Sequence, residues 1–183
     1  MRRVVVDTLI SLDGYFAGPN NEIDWFIGDE QSMEWSRDIL RRADTILYGR
    51  VTYEGMAEYW SSSTGHDPFI TRRLNETPKI VFSRTMRKAA WRNSTVVHEE
   101  PAEYVRRTKR LAGKDMVVLG SSTLVSALLS EDLIDEFRIR VQPVVLGAGR
   151  PLFTEQKRWH HLTLRSAKGF RSGVVALHYE PAD

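Results

Sequence analysis

Three short apolar runs, each ending in glycine or serine, constrain the fold of this chain more than any other feature. They are LYGRVTYE at Leu47–Glu54, IVFSRT at Ile80–Thr85 and VVLGSSTLVSALL at Val117–Leu129. Buried parallel strands read as unbroken apolar runs, because helices cover both faces of the sheet. The carboxyl ends of such strands are where open α/β sheets bind ligands. Gly49, Ser83 and Gly120 are therefore expected along one rim of one sheet. That rim offers bare backbone N–H groups, hydroxyls and arginines, which suit phosphates. Taken one at a time, the same segments also read as ordinary turns.

The rest of the chain fits an alternation of strands and helices. Val4–Ile10 reads as a first strand, rich in β-branched residues. A long shaped loop, SLDGYFAGPNNEIDW, follows it. Helices are expected at Asp29–Arg42, Thr52–Trp60, Ala102–Ala112 and Ser122–Ser130, with a helix or lid-like excursion at His66–Asn75. Gly113 is a suitable helix stop. Further strands are expected at Thr45–Tyr48, Lys79–Ser83, Thr95–Val97 and Met116–Leu119. Glu136–Gln142 alternates polar and apolar residues, as a partly exposed strand would. Leu162–Lys168 and Val174–Tyr179 flank FRSG and are expected to close the chain as an antiparallel hairpin. The alternation predicts one α/β domain over 1–183 with a mostly parallel sheet and helices on both faces.

Composition excludes several classes. The net charge of +2 is too small to imply a nucleic-acid partner, and the arginine pairs are dispersed between acidic stretches. Most of them read as solvated. With no cysteine, disulfides and thiolate chemistry are excluded. The five histidines form no metal-ligand spacing, so no metal is expected. The start MRRVVVDTLI is broken by Asp7 and is expected to be a first strand, not a signal peptide, and no stretch suits a membrane span. The expected compartment is the cytoplasm.

The order of motifs resembles the dihydrofolate reductase-like family. Within it, the chain is similar to the reductase domain of the bacterial riboflavin-biosynthesis deaminase–reductase. The resemblance rests on SLDGYFAG at Ser11–Gly18, GRVTYE at Gly49–Glu54, FSRT at Phe82–Thr85, LGSSTLVSALL at Leu119–Leu129 and VVLGAGRPLF at Val144–Phe153. It implies a three-layer α/β/α fold, NADPH as cofactor, hydride transfer to a small polar heterocycle or ribosylamino-pyrimidine, and a homodimer. The alternative is a non-enzymatic nucleotide-binding or dimerisation protein that keeps the fold. The family's cofactor loop commonly carries a Gly-Gly pair, where this chain has Gly120-Ser121.

The resemblance also implies residue roles. Gly49, Arg50 and Thr52 lie beside the cofactor diphosphate. Ser83, Arg84 and Thr85 meet the adenosine-side phosphate that separates NADPH from NADH. Gly120, Ser121, Ser122 and Thr123 open the diphosphate-binding helix, with Leu124 and Val125 towards the nicotinamide or in the core. Asp13 orients substrate or relays a proton, or else shapes a turn. Glu34 lies near the essential acid of folate-reducing relatives. Independently of the resemblance, Trp25 and Trp60 read either as packing residues or as the lining of a substrate pocket, since planar ligands stack on aromatic faces. Arg150 meets a substrate phosphate, or the glycines beside it, Gly147 and Gly149, only permit a bend.

Overall fold

The computed structural model describes residues 1–61 and 67–182. In chain order it contains β1 (Val4–Ile10), β2 (Tyr15–Ala17), α1 (Glu30–Arg42), β3 (Ala43–Gly49), α2 (Arg50–Ser61), α3 (Pro68–Glu76), β4 (Lys79–Phe82) and β5 (Ser94–Val97). There follow α4 (Pro101–Lys109), β6 (Asp115–Leu119), α5 (Ser122–Leu129), β7 (Glu136–Val141), β8 (Arg150–Pro151), β9 (Leu162–Gly169) and β10 (Val175–Pro181). Eight strands form one sheet in the order β5-β4-β3-β6-β1-β7-β10-β9. The first six run parallel, and β10 and β9 add the antiparallel hairpin.

Alternation along each strand sorts the two layers around the sheet. One face carries Val4, Val6, Leu47, Phe82, Val118, Phe137 and Ile139 against α4 and α5. The other carries Ile46, Tyr48, Val81 and Val117 against α1, α2 and α3. The fold is thus the expected three-layer α/β/α arrangement with a mostly parallel sheet.

Local chemistry sets the helix starts. Asp29 Oδ1 accepts from Ser32 N (2.6 Å) and opens α1. Asp67 Oδ1 accepts from Ile70 N (2.8 Å) and opens α3, with Pro68 in the first turn. The helix or lid-like segment expected from His66 is therefore a helix from Pro68, and His66 itself lies outside the described residues. Lys79 closes α3 from the next strand: its fully buried ammonium donates to Leu74 O (2.7 Å), Asn75 O (3.2 Å) and Thr77 O (2.9 Å). Burial pushes that group down to about 8.

Two expectations need correction. The Glu136–Gln142 strand is internal, between β1 and β10, and its polar residues do not face water. Glu136, Arg140 and Gln142 are buried beneath α1. Arg140 donates to Asp7 Oδ2 (3.0 Å), Ser32 O (3.0 Å) and Ser36 Oγ (2.8 Å). Arg42 and Arg138 both pair with Glu136. Period-two alternation marks two chemically different faces, and here the polar face is covered by a helix that carries matching polar groups. The second correction concerns the long loop after β1. It contains β2, which pairs antiparallel with β8 far along the chain.

Candidate functional site

The carboxyl ends of β3, β4, β5 and β6 open into one cleft of about 390 Å³. Each strand end contributes its own chemistry. From β3 and the start of α2 come Gly49, Arg50 and Thr52, and from β4 come Phe82, Ser83 and Arg84. The α5 start brings Ser121, Ser122, Thr123 and Leu124. The structure thereby brings together the three runs that the sequence singles out.

The floor depends on close backbone approach. Gly120 has φ +69°, and a Cβ there would lie 3.4 Å from Thr52 Cγ2 and 3.9 Å from Phe16. Ser121 follows with φ 69° and ψ 82°, a left-handed conformation that costs a non-glycine residue about 1–2 kcal/mol. The position after Gly120 thus adopts positive φ in this chain, and a serine occupies it. A Cβ at Gly49 would collide with Ser121 Oγ, so the β3 and β6 turns interlock across the cleft. Ser121 makes no side-chain cap bond to α5. Among the described residues, no side chain accepts from the first-turn amides of α5, the arrangement that favours an anion.

Three arginines reach the cleft, and all have light commitments. Arg50 pairs with Glu54 one helical turn on (2.9 Å). Arg84 pairs with Glu100 (2.5 Å). Arg150 donates to Asn21 Oδ1 (2.5 Å). Ser83 Oγ accepts from Met86 N (2.9 Å) and Thr85 N (3.3 Å), shaping its own turn. Thr85 is exposed and lies outside the cleft wall, and the half-buried Gly120 stands directly before the wall residues Ser121–Leu124.

The early and late loops meet at the remaining edge. Asp13 accepts from Ser11 Oγ (2.6 Å), Leu146 N (3.1 Å) and Gly147 N (2.8 Å). The hydrogen bond from Ser11, with those from the Gly147 and Leu146 amides, holds its carboxyl below the usual range. Gly149 has φ +154°, and any Cβ there would strike Ala17 O. These contacts set β8 against β2, with Phe16 and Arg150 at the cleft. Asp13 thus reaches neither its own turn alone nor the cleft; it ties the two loops together. Val125 is fully buried in the core.

Glu34 and Trp25 are placed elsewhere. Glu34 lies on the outer side of α1 and accepts from Arg41 (2.8 Å) and Arg37 (2.9 Å). Those bonds, Arg41 first, hold its carboxyl low. An ionised acid spent on two guanidiniums in solvent is no proton donor. Trp25 donates to Glu22 O (3.0 Å) and packs edge-on against Phe26, away from the cleft wall. Trp60 also lies outside that wall.

Sequence reasoning missed one side of the cleft. His98, Glu99, Glu100 and Pro101 line it, between β5 and α4. A signal was present: Thr95–Val97 reads as a strand, and a fourth parallel strand ends on the same rim. Among the described residues, Glu136, His178 and Glu180 are the one group close enough to share a cation. Arg3, Arg42 and Arg138 already pair with Glu136, so that group is charge-compensated. Among the described residues, no helix is long and apolar enough to cross a membrane.

The model of the RibD C-terminal domain family matches residues 2–176. The chain is 35% identical over 182 residues to the uncharacterized protein YyaP of Bacillus subtilis, covering 97% of this chain and 94% of that one. Its fold is similar to that of a Shewanella sp. PV-4 protein ascribed to riboflavin biosynthesis (TM-score 0.78, 22% identity, 100% of both chains). It is also similar to dihydrofolate reductase from Enterococcus faecalis in complex with NADP(H) (TM-score 0.69, 13% identity, 99% of this chain and 97% of that one).

Proposed function

Because the chain belongs to the RibD C-terminal domain family, we propose that it is an NADPH-dependent reductase of a small polar heterocycle. The substrate class is a ribosylamino-pyrimidine of the 5-amino-6-(5-phosphoribosylamino)uracil type. One observation carries this reading: a strand-end cleft combines the α5 start, entered through a positive-φ Gly120, with lightly held arginines. A nucleotide diphosphate needs those three things together.

The residues present fit the cofactor. The α5 amides and Arg50 would hold the diphosphate, and Gly49 and Gly120 keep side chains out of its way. Arg84 and Ser83 would meet the adenosine-side phosphate. When bound, NADPH supplies the hydride. The chain's own part is to position the two reactants and to exclude water. Asp13 is a positioning residue in this reading, since it fixes the late loop that carries Arg150. Arg150 would take the substrate's phosphate, releasing Asn21. Trp25, in the loop that precedes α1, lies off the cleft wall and is given no contact with the reactants.

The competing reading, a nucleotide-binding protein without chemistry, draws on one observation. Neither Asp13 nor Glu34 offers a carboxylate to the cleft. Direct titration separates the possibilities. NADPH should bind the unmutated protein, and Gly120→Val should abolish binding while unfolding stays cooperative. Addition of the ribosylamino-pyrimidine should then oxidise NADPH. Binding without oxidation would favour the competing reading, and undiminished affinity in Gly120→Val would leave the loop purely structural.

A homodimer belongs to the same proposal. β9 is exposed at every position, including Leu162 (37%) and Leu164 (50%), and forms one edge of the sheet. The internal β7 cannot pair between subunits, so β9 is the surface that remains. Sedimentation at micromolar concentration should give twice the chain mass, and Leu164→Lys should shift it to the monomer.

A further inference from the structure

We propose that Glu100 sets the choice between phosphorylated and unphosphorylated nicotinamide dinucleotides by competing for Arg84. This inference rests on the nucleotide-cleft reading above and adds to it a specificity residue.

The exits of β4 and β5 lie side by side. His98 Nδ1 is 2.7 Å from Ser83 O, which joins the two exits. Two carboxylates follow directly, and both line the cleft. Glu99 turns to Arg107, accepting from its Nη1 and Nη2 at 2.8 Å each. That pairing with Arg107 holds its carboxyl low, so it stays charged. Glu100 takes the other route and pairs with Arg84 Nη2 at 2.5 Å. The Arg84 and Glu100 side chains are 81% and 59% exposed.

Such an exposed pair is weak and opens readily. Its two halves favour different ligands. Arg84 rewards a phosphate monoester on the adenosine ribose. Glu100 accepts hydrogen bonds from a free ribose diol and repels a phosphate dianion, as acidic residues do in dinucleotide sites that select the unphosphorylated form. A phosphorylated ligand must therefore displace Glu100 from Arg84 and then sit beside both Glu99 and Glu100. An unphosphorylated ligand needs neither step. The pair narrows the preference for NADPH that Arg84 alone would give.

Calorimetric titration with NADPH, NADH, 2′,5′-ADP and 5′-AMP tests this without any substrate. In Glu100→Gln, the NADPH-to-NADH affinity ratio should rise about three- to tenfold, with 2′,5′-ADP tightening in parallel. The gain should shrink as salt is added. When Arg84→Ala is the background, Glu100→Gln should give a clearly smaller gain, since only the direct effect of the Glu100 charge remains. An unchanged ratio in Glu100→Gln, equal tightening of both dinucleotides, or a gain that is undiminished by loss of Arg84 would each overturn the assignment. Failure of all four probes to bind the unmutated protein would instead overturn the nucleotide-cleft reading itself, and this inference with it.

Discussion

The arginines of the cleft and the arginines beneath α1 are the same residue type put to opposite uses. Arg50, Arg84 and Arg150 stand at the strand ends, and Arg50 and Arg84 each pair with one exposed carboxylate. Arg138 and Arg140 lie between the sheet and α1, each with several partners. Arg138 also stacks over Trp35 at 4.6 Å. The difference teaches which cations a ligand can recruit. An exposed pair contributes about 0–1 kcal/mol and exchanges partners cheaply. A buried charge cannot be released without leaving its partner uncompensated.

The buried layer should give the largest effect. Arg140→Met strands Asp7, whose carboxyl burial already pushes up and whose Oδ1 has no partner. We expect a loss of about 3–5 kcal/mol in urea unfolding. Replacing both members, Asp7→Leu with Arg140→Met, should recover most of it. If the double variant is as unstable as the single one, α1 is held by Arg140's bonds to Ser32 and Ser36 rather than by the pair.

Glu136 comes next. Burial alone would raise its carboxyl, but Arg42 and Arg138 hold it below the ordinary value of 4.5. A lowered folded value means stability that is present above the unfolded value and lost as pH falls through the folded one. Asp7 runs the other way, contributing less as pH rises. Glu136→Gln should cost about 2–4 kcal/mol at neutral pH and flatten the acid limb of a stability–pH curve. An unaltered limb would place acid sensitivity elsewhere.

The cleft should behave in the converse manner. Arg50→Ala should change folding stability by less than about 0.5 kcal/mol, yet weaken NADPH binding by about 1.5–3 kcal/mol. A stability loss without an affinity loss would move Arg50 into the structural group. The smallest effect belongs to Ser121. Ser121→Gly removes a left-handed serine and should stabilise the fold by about 0.5–1 kcal/mol in thermal unfolding. A loss there would mean that the Ser121 Oγ contact over Gly49 outweighs the backbone strain.

Much of this was legible in the residues, for a physical reason. The parallel strands are apolar on both faces, and their ends carry Gly49, Ser83 and Gly120, so local pattern and tertiary position agree. The long-range pairings were not legible. β2 and β8 hold three and two residues, too few for any periodicity, and are joined by Asp13 reaching Leu146 and Gly147. The polar face of β7 misled because alternation cannot tell water from a charged helix. Glu34 misled because helix register after a loop of different length decides which face an acid occupies. Glu99 and Glu100 went unread because a four-residue strand precedes them.

The central claim is that a nicotinamide dinucleotide lies across the ends of β3, β4 and β6. Amide hydrogen exchange with and without saturating NADPH tests it most directly. The account predicts slowed exchange concentrated in Gly49–Thr52, Ser83–Thr85 and Gly120–Leu124, with the layer beneath α1 unchanged. Protection spread evenly, or confined to segments outside those three, would contradict it.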